Sequence, residues 1–171
     1  MMIARILKER NVKNRDIYLY DTFEGMSAPS SDDIDYSGND AKKLLKDEIE
    51  NKVNAPIWCY ATEEDVLANI SATKISLEQV HLIKGKVEDT IPHRSPKSNI
   101  SLLRLDTDWY ASTKHELIHL YPVLSAKGVL IIDDYGHWQG CRKAVDEYFS
   151  ESGNRKLLHR IDYTGRILIK D

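Results

Sequence analysis

The chain has 171 residues, 42% hydrophobic and 30% charged, and its 24 Lys and Arg against 27 Asp and Glu leave a formal net charge of −3. These are the proportions of an ordinary soluble domain long enough to bury a sizeable core, without the basic cluster that a nucleic-acid partner requires. The longest apolar runs, such as Gly128 to Ile132, are strand-sized and too short to span a membrane.

Met1 to Arg10 reads as a helix with Met2, Ile3, Ile6 and Leu7 on one face and Arg5, Lys8 and Glu9 on the other. It begins without an N-cap or a preceding turn, as if the chain started inside an element, and its charged amphipathic character does not suit a signal peptide. Asp16 to Asp21 is a strand ending on an acid. Ser27 to Asp40 is polar and turn-rich; no core could be built from it, so it is expected to be a mobile loop. Ala41 to Lys52 reads as an exposed helix, and Glu63 to Thr73 as a second one with Thr62 as its N-cap. An insertion of this kind over residues 27–75, placed just after a strand's carboxyl end, reads as lid-like; the alternative is a decoration without a catalytic part.

Gln79 to Lys84 is the next strand, and Gly85 to Pro92 a turn with a short helix start. A strand over Leu102 to Leu105, a helix from about Ser112 to Leu124 and a strand over Val129 to Ile132 then make a βαβ unit with parallel strands. Gln139 to Ser152 is a helix with Cys141, Ala144, Val145, Tyr148 and Phe149 on its apolar side and Gly153 at its end. Leu157 to Asp162 and Arg166 to Lys170 form a hairpin about Thr164 and Gly165. This order predicts a single α/β domain over residues 1–171, with a mainly parallel sheet and an antiparallel final strand. That pattern suits a class I methyltransferase (Rossmann-like) fold better than a plain dinucleotide-binding one. Cys59 and Cys141 lack metal-type spacing and fit a reducing cytoplasm better than a disulfide framework.

The sharpest chemical signal lies in the βαβ unit. Its strands deliver Asp106 and Asp108, and Asp133 and Asp134, to the same sheet edge, where ligands bind in open α/β sheets. Carboxylates so placed repel one another unless a cation sits between them. Hard oxygen ligands suit Mg²⁺, with Ca²⁺ or Mn²⁺ next, and such an ion would hold a hydroxyl group and lower its pKa. A single acid at a strand end usually caps a helix or solvates a loop; four together argue for function. Asp108 is the natural general base beside the metal, or else the third ligand with Asp106 as base; spacing does not separate those roles. His137 is a second base candidate or a surface residue. Asp21 could accept both hydroxyls of a ribose or simply form a turn, while Glu88 and Asp89 are placed to border an adenine. Arg104, inside an apolar strand, needs a partner, and the carboxylates are the obvious one. Trp58, Tyr60, Trp109, Tyr110 and Trp138 either line a substrate pocket or pack the core.

The blocks DTFEGM (Asp21 to Met26), GKVEDTIP (Gly85 to Pro92), LLRLDTDWYAST (Leu102 to Thr113) and GVLIIDDYGHWQGCRKAVDEYF (Gly128 to Phe149), with the ending IDYTGRILIK, resemble the macrocin O-methyltransferase (TylF-like) family. The resemblance covers nearly the whole chain. It implies a class I methyltransferase fold, S-adenosylmethionine as methyl donor, Mg²⁺ as metal, and a sugar hydroxyl of a small natural product as acceptor. By position it makes Asp106, Asp133 and Asp134 the metal aspartates, with Asp106 doubling as base, Asp21 the donor's ribose acid, and the insertion a substrate lid.

One departure from the family stands out. Its members have an earlier strand and a glycine-rich turn that cradles the donor, and neither is present here. The sheet is therefore expected to have a gap where its first strand would lie. A truncated gene is favoured, since every downstream motif is intact; loss of the donor site, giving a non-catalytic methyltransferase-like domain, is one alternative, and a strand supplied within a homo-oligomer another. A metal-dependent nucleotide-sugar glycosyltransferase would explain Asp106 and Asp108 but leaves Asp21, Asp133 and Asp134 without a role.

Overall fold

In chain order the elements are α1 (Met2–Glu9), β1 (Ile17–Asp21), α2 (Ala41–Asp47), α3 (Glu63–Ser71), β2 (Val80–Lys84), α4 (Val87–Thr90), β3 (Ile100–Leu105), α5 (Tyr110–Leu120), β4 (Leu124–Ile132), α6 (Gln139–Glu151), β5 (His159–Arg160) and β6 (Arg166–Ile169). They come from a computed structural model that describes residues 1–151, 153 and 156–171. Ser152, the predicted last residue of α6, lies outside the described residues. The chain divides into two compact units, one of residues 1–27 and 50–86, the other of residues 28–49 and 87–171.

In the first unit β1 and β2 pair in parallel, from Ile17 opposite Val80 to Asp21 opposite Lys84. Ala4, Ile70 and Ile75 form its buried centre, with Leu7, Leu19, Val66 and Leu82 packed on them. Of the predicted apolar face of α1 only Leu7 reaches the core, beside Ala4, whereas Met2, Ile3 and Ile6 stay exposed. Thr62 caps α3 in a capping box with Asp65, and Glu63, Glu64 and Asp65 place negative charge at the helix's positive end.

The second unit holds a four-stranded sheet in the order β3-β4-β6-β5. β3 and β4 are parallel, while β6 is antiparallel to both β4 and β5. α5 and α6 pack together, contributing buried Leu117, Leu120, Ala144, Val145 and Phe149 beside Leu130 and Ile132 of β4. The helix predicted to reach Leu124 stops at Leu120, with Tyr121 still helical as its C-cap, and Pro122 then has no N–H with which to continue the ladder. Lys170 secures that end, its Nζ donating to the carbonyls of Tyr121, Pro122 and Leu124 at 2.9, 3.0 and 2.6 Å. Gly153 is left-handed just beyond α6, as a helix-ending glycine should be.

The α/β class and the antiparallel final strand agree with the sequence reading. The strands form two sheets among the described residues, with β1 and β2 in one and β3 to β6 in the other.

The stretch from Ala28 to Asp40, predicted to be a coreless mobile loop, belongs to the second unit and contains two buried carboxylates. Asp33, with no exposed surface, accepts hydrogen bonds from the Ser30 backbone N–H at 2.6 Å and the Ser30 hydroxyl at 2.8 Å. Asp35 gathers the N–H groups of Ser37 and Asn39 and the Asn39 amide. Short polar residues thus build the turn from their own side chains, without an apolar core.

Candidate active site

β3 and β4 run side by side with Leu105 opposite Ile132, so Asp106 to Asp108 and Asp133 to Asp134 leave the sheet together. Asp108 takes the left-handed conformation, φ 64°, which turns its side chain back into the cluster. Trp138 Nε1 donates to Asp108 Oδ2 at 3.1 Å and fixes that carboxylate. Single oxygens of Asp106, Asp108 and Asp134 lie within 4.8 Å of one another. Among the described residues this trio forms a group able to hold a metal ion, and three hard oxygen donors are the set a divalent cation such as Mg²⁺ takes.

The electrostatics express the crowding. Desolvation, then the charges of Asp108, Asp106 and Asp133, push Asp134 up to about 9. Desolvation and a hydrogen bond with Asp133 push Asp106 to about 7, although Arg104 pulls it down. Asp108 is also raised by burial, against hydrogen bonds with Asp134 and Trp138. A cation among them would relieve the repulsion that otherwise retains protons.

Asp133 takes another position. Its carboxylate meets Arg104 Nη2 at 3.0 Å, while Arg104 Nη1 meets Asp106 at 3.1 Å. The predicted partnership of Arg104 with the carboxylates is therefore present. The guanidinium, however, is about half exposed rather than buried, since it lies on the open edge of β3.

Two features of this site escape the sequence reading. Thr107, between the two aspartates, donates from Oγ1 to Glu116 Oε2 at 2.9 Å, and its carbonyl accepts from Trp109 N at 2.7 Å and Ser112 Oγ at 3.1 Å. Glu116 is 5% exposed, and desolvation pushes it up to about 8. The signal was present: Thr113, Glu116, Leu117 and Leu120 share the buried stripe of α5, and an acid in that stripe needs a partner. The second feature is Asp33, whose Oδ1 accepts the Tyr110 N–H at the start of α5 at 2.7 Å. Gly140 makes room for it, because a Cβ there would lie 2.0 Å from the same oxygen. Asp35 bridges to Trp138, and Gln139 N donates to the Ile34 carbonyl. The 28–40 segment is thus fastened across the starts of α5 and α6.

The remaining candidates are dispersed. Asp21 is exposed at the carboxyl end of β1 in the first unit, its Oδ1 accepting the Phe23 N–H at 2.6 Å. Glu88, half-buried, and Asp89, exposed, lie on α4 in the second unit. His137 Nδ1 is 3.0 Å from the Tyr163 hydroxyl. Of the aromatic candidates, Trp109 and Trp138 are core residues, 2% and 3% exposed, packed edge to face at 4.9 Å. Trp58 is likewise buried. Tyr110 donates to Glu147.

No helix among the described residues is long and apolar enough to cross a membrane.

The family described as Macrocin-O-methyltransferase (TylF) matches residues 1–170. Demethyldecarbamoylnovobiocin O-methyltransferase of Streptomyces niveus is 32% identical over 165 residues, 96% of this chain and 59% of that protein. The 8-demethyl-8-(2,3-dimethoxy-alpha-L-rhamnosyl)-tetracenomycin-C 4'-O-methyltransferase of Streptomyces olivaceus is 31% identical over 165 residues, again 96% of this chain and 59% of that protein. The chain thus spans about three fifths of the length of these relatives. The structure of the O-methyltransferase NovP superposes with a TM-score of 0.81 at 29% identity, covering 99% of this chain and 65% of that one. A match running from the first residue to the last but one, over the aspartate blocks and the hairpin alike, places the chain in the macrocin O-methyltransferase (TylF) family.

Proposed function

We propose that this chain carries the metal and acceptor site of an O-methyltransferase that moves a methyl group from S-adenosylmethionine to a hydroxyl of a sugar-bearing small molecule, with Mg²⁺ as the metal. The observation that carries this reading is the convergence of Asp106, Asp108 and Asp134 within 4.8 Å. Family membership supports the donor, and the rhamnosyl group named for one relative supports the sugar. When bound, Mg²⁺ would supply Lewis acidity that makes an acceptor hydroxyl easier to ionise.

The chain's own part is positional and protonic. Asp106, Asp108 and Asp134 would hold the cation, with Asp133 pairing Arg104 at its flank. A carboxylate of Asp106 or Asp108 would accept the hydroxyl proton. S-adenosylmethionine, when bound, would supply the methyl group and leave as S-adenosylhomocysteine, so that the acceptor would become a methyl ether and the carboxylate would keep the hydroxyl proton. Asp108 is the better placed base, because Trp138 holds one of its oxygens and leaves the carboxylate oriented. Asp21 would receive the donor's ribose, and Glu88 and Asp89 would border its adenine. Residues 1–171 would act as one methyltransferase-like domain with 27–75 as a lid-like insertion. Cys59 and Cys141, which form no disulfide among the described residues, would suit a cytoplasmic setting.

Calorimetric titration with Mg²⁺ and with S-adenosylhomocysteine, followed by transfer of labelled methyl to rhamnosides, tests the reading. Loss of Mg²⁺ binding in Asp134→Asn and Asp108→Asn supports it. Unchanged Mg²⁺ binding in both variants would sink it.

A further inference from the structure

Next to the carboxylates the second unit has a cavity of about 440 Å³, within the range of about 300–1,000 Å³ that encloses small-molecule ligands. Trp138 connects the two places, forming part of the cavity wall while its indole N–H holds Asp108. Two tyrosines at this place are far more exposed than packing requires: Tyr36 at 67% and Tyr163 at 55%. They are nonetheless ordered into a cluster. The Tyr36 ring lies 5.3 Å from His137 and 6.0 Å from Tyr163, and His137 bonds the Tyr163 hydroxyl at 3.0 Å. Aromatic faces fixed by their neighbours and left open to water provide a stacking surface.

The cations on the wall differ in how firmly they are engaged. Lys143 is held by Asp32 at 2.9 Å. Arg142 is 63% exposed, and its ion pair with Asp146 is stretched to 3.9 Å. Asp146 has a closer partner in the Tyr135 hydroxyl at 2.7 Å. The Arg142 guanidinium lies 5.4 Å over the Tyr135 ring, which orients it without consuming its N–H groups in a close ion pair. An oriented guanidinium at the mouth of an aromatic-walled cavity suits an anion carried on a ring.

We propose that this cavity is a second subsite of the acceptor, taking a planar ring that bears an anionic group, a phosphate or a carboxylate, with Tyr36 and His137 stacking the ring and Arg142 pairing the charge. The proposal rests on the acceptor-methylating reading above and deepens it: the methylated ring would sit at the carboxylates and its neighbouring ring here.

The test is calorimetric titration of the full chain, without divalent metal at pH 7, using 4-nitrophenyl phosphate, 4-nitrobenzoate, inorganic phosphate and 4-nitrophenyl α-L-rhamnoside. At least one aryl anion should bind about tenfold more tightly than inorganic phosphate or the neutral rhamnoside, and the tighter of the two identifies the anion. Arg142→Ala and Tyr36→Ala should each weaken it about tenfold, while Tyr36→Phe keeps the ring and the affinity. Both side chains are exposed, so an unchanged melting temperature will exclude misfolding. Absence of aryl-anion binding, or equal binding by Arg142→Ala, overturns the subsite. Asp134→Asn separates the two readings: it should lose Mg²⁺ and keep the aryl anion.

Discussion

Asp33 and Tyr110, 77 positions apart, are joined by a 2.7 Å hydrogen bond in which the Tyr110 backbone N–H donates to Asp33 Oδ1. The carboxylate therefore serves the first turn of α5 from outside the helix, as an N-cap residue does from within it. Asp33→Ala would leave three donors without their partner: Tyr110 N, Ser30 N and the Ser30 hydroxyl. A loss of about 2–4 kcal/mol in urea unfolding is expected for this buried site. Gly140→Ala should act on the same bond by driving a methyl group into that oxygen, and the two effects should be less than additive.

Asp134 and Asp106, raised to about 9 and about 7 from the ordinary aspartate value of 3.8, retain protons that the unfolded chain gives up. The metal-free fold is therefore favoured at low pH, and stability should fall as pH rises from about 4 toward about 9. Asp134→Asn removes much of that slope and should raise the melting temperature at pH 8 by about 2–4 °C. Saturating Mg²⁺ should flatten the wild-type profile in the same way. A profile that rises with pH in metal-free protein would contradict the assignment.

Glu116 tests whether the turn between the aspartates is held from beneath. Raised to about 8, it keeps at pH 7 a proton that the unfolded chain has lost, so Glu116→Gln should match wild type near pH 4 and become increasingly more stable than it as the pH rises toward about 8. Glu116→Ala leaves the Thr107 hydroxyl without its partner and opens a cavity, costing about 2–4 kcal/mol. If the turn needs this support, Mg²⁺ affinity should fall in Glu116→Ala and return in Glu116→Gln.

Arg104 competes with a cation for Asp106. Removing its charge in Arg104→Ala should tighten Mg²⁺ binding at pH 8 by about threefold to tenfold, a Coulomb effect of about 1 kcal/mol across this partly exposed pair. The gain should shrink below pH 7, where Asp106, released from Arg104, is more fully protonated. Calorimetry at both pH values measures it.

Much of this was legible in the sequence because period and punctuation are local. The apolar runs ending in Asp106 and Asp133 identified β3 and β4, and Thr62 announced α3. The meeting of four aspartates followed from parallel pairing alone. Which oxygens converge did not: the left-handed turn at Asp108 and the hold of Arg104 on Asp133 are tertiary facts, and they bring Asp108 into the trio with Asp106 and Asp134. The 28–40 segment is the loop that was expected, but its fastening was missed, because composition reports missing apolar groups and says nothing of carboxylates buried against helix starts. The length of α5 was overestimated by giving its apolar pattern precedence over Pro122.

The strand order β3-β4-β6-β5 also bears on how the chain emerges from the ribosome. β6 (Arg166–Ile169) is made after the other described strands of its sheet yet lies inside that sheet, covering the edge of β4. Until it arrives, β4 offers an open row of backbone donors and acceptors beside an apolar face. Nascent chains stalled between β4 and β6 should therefore depend most on chaperones.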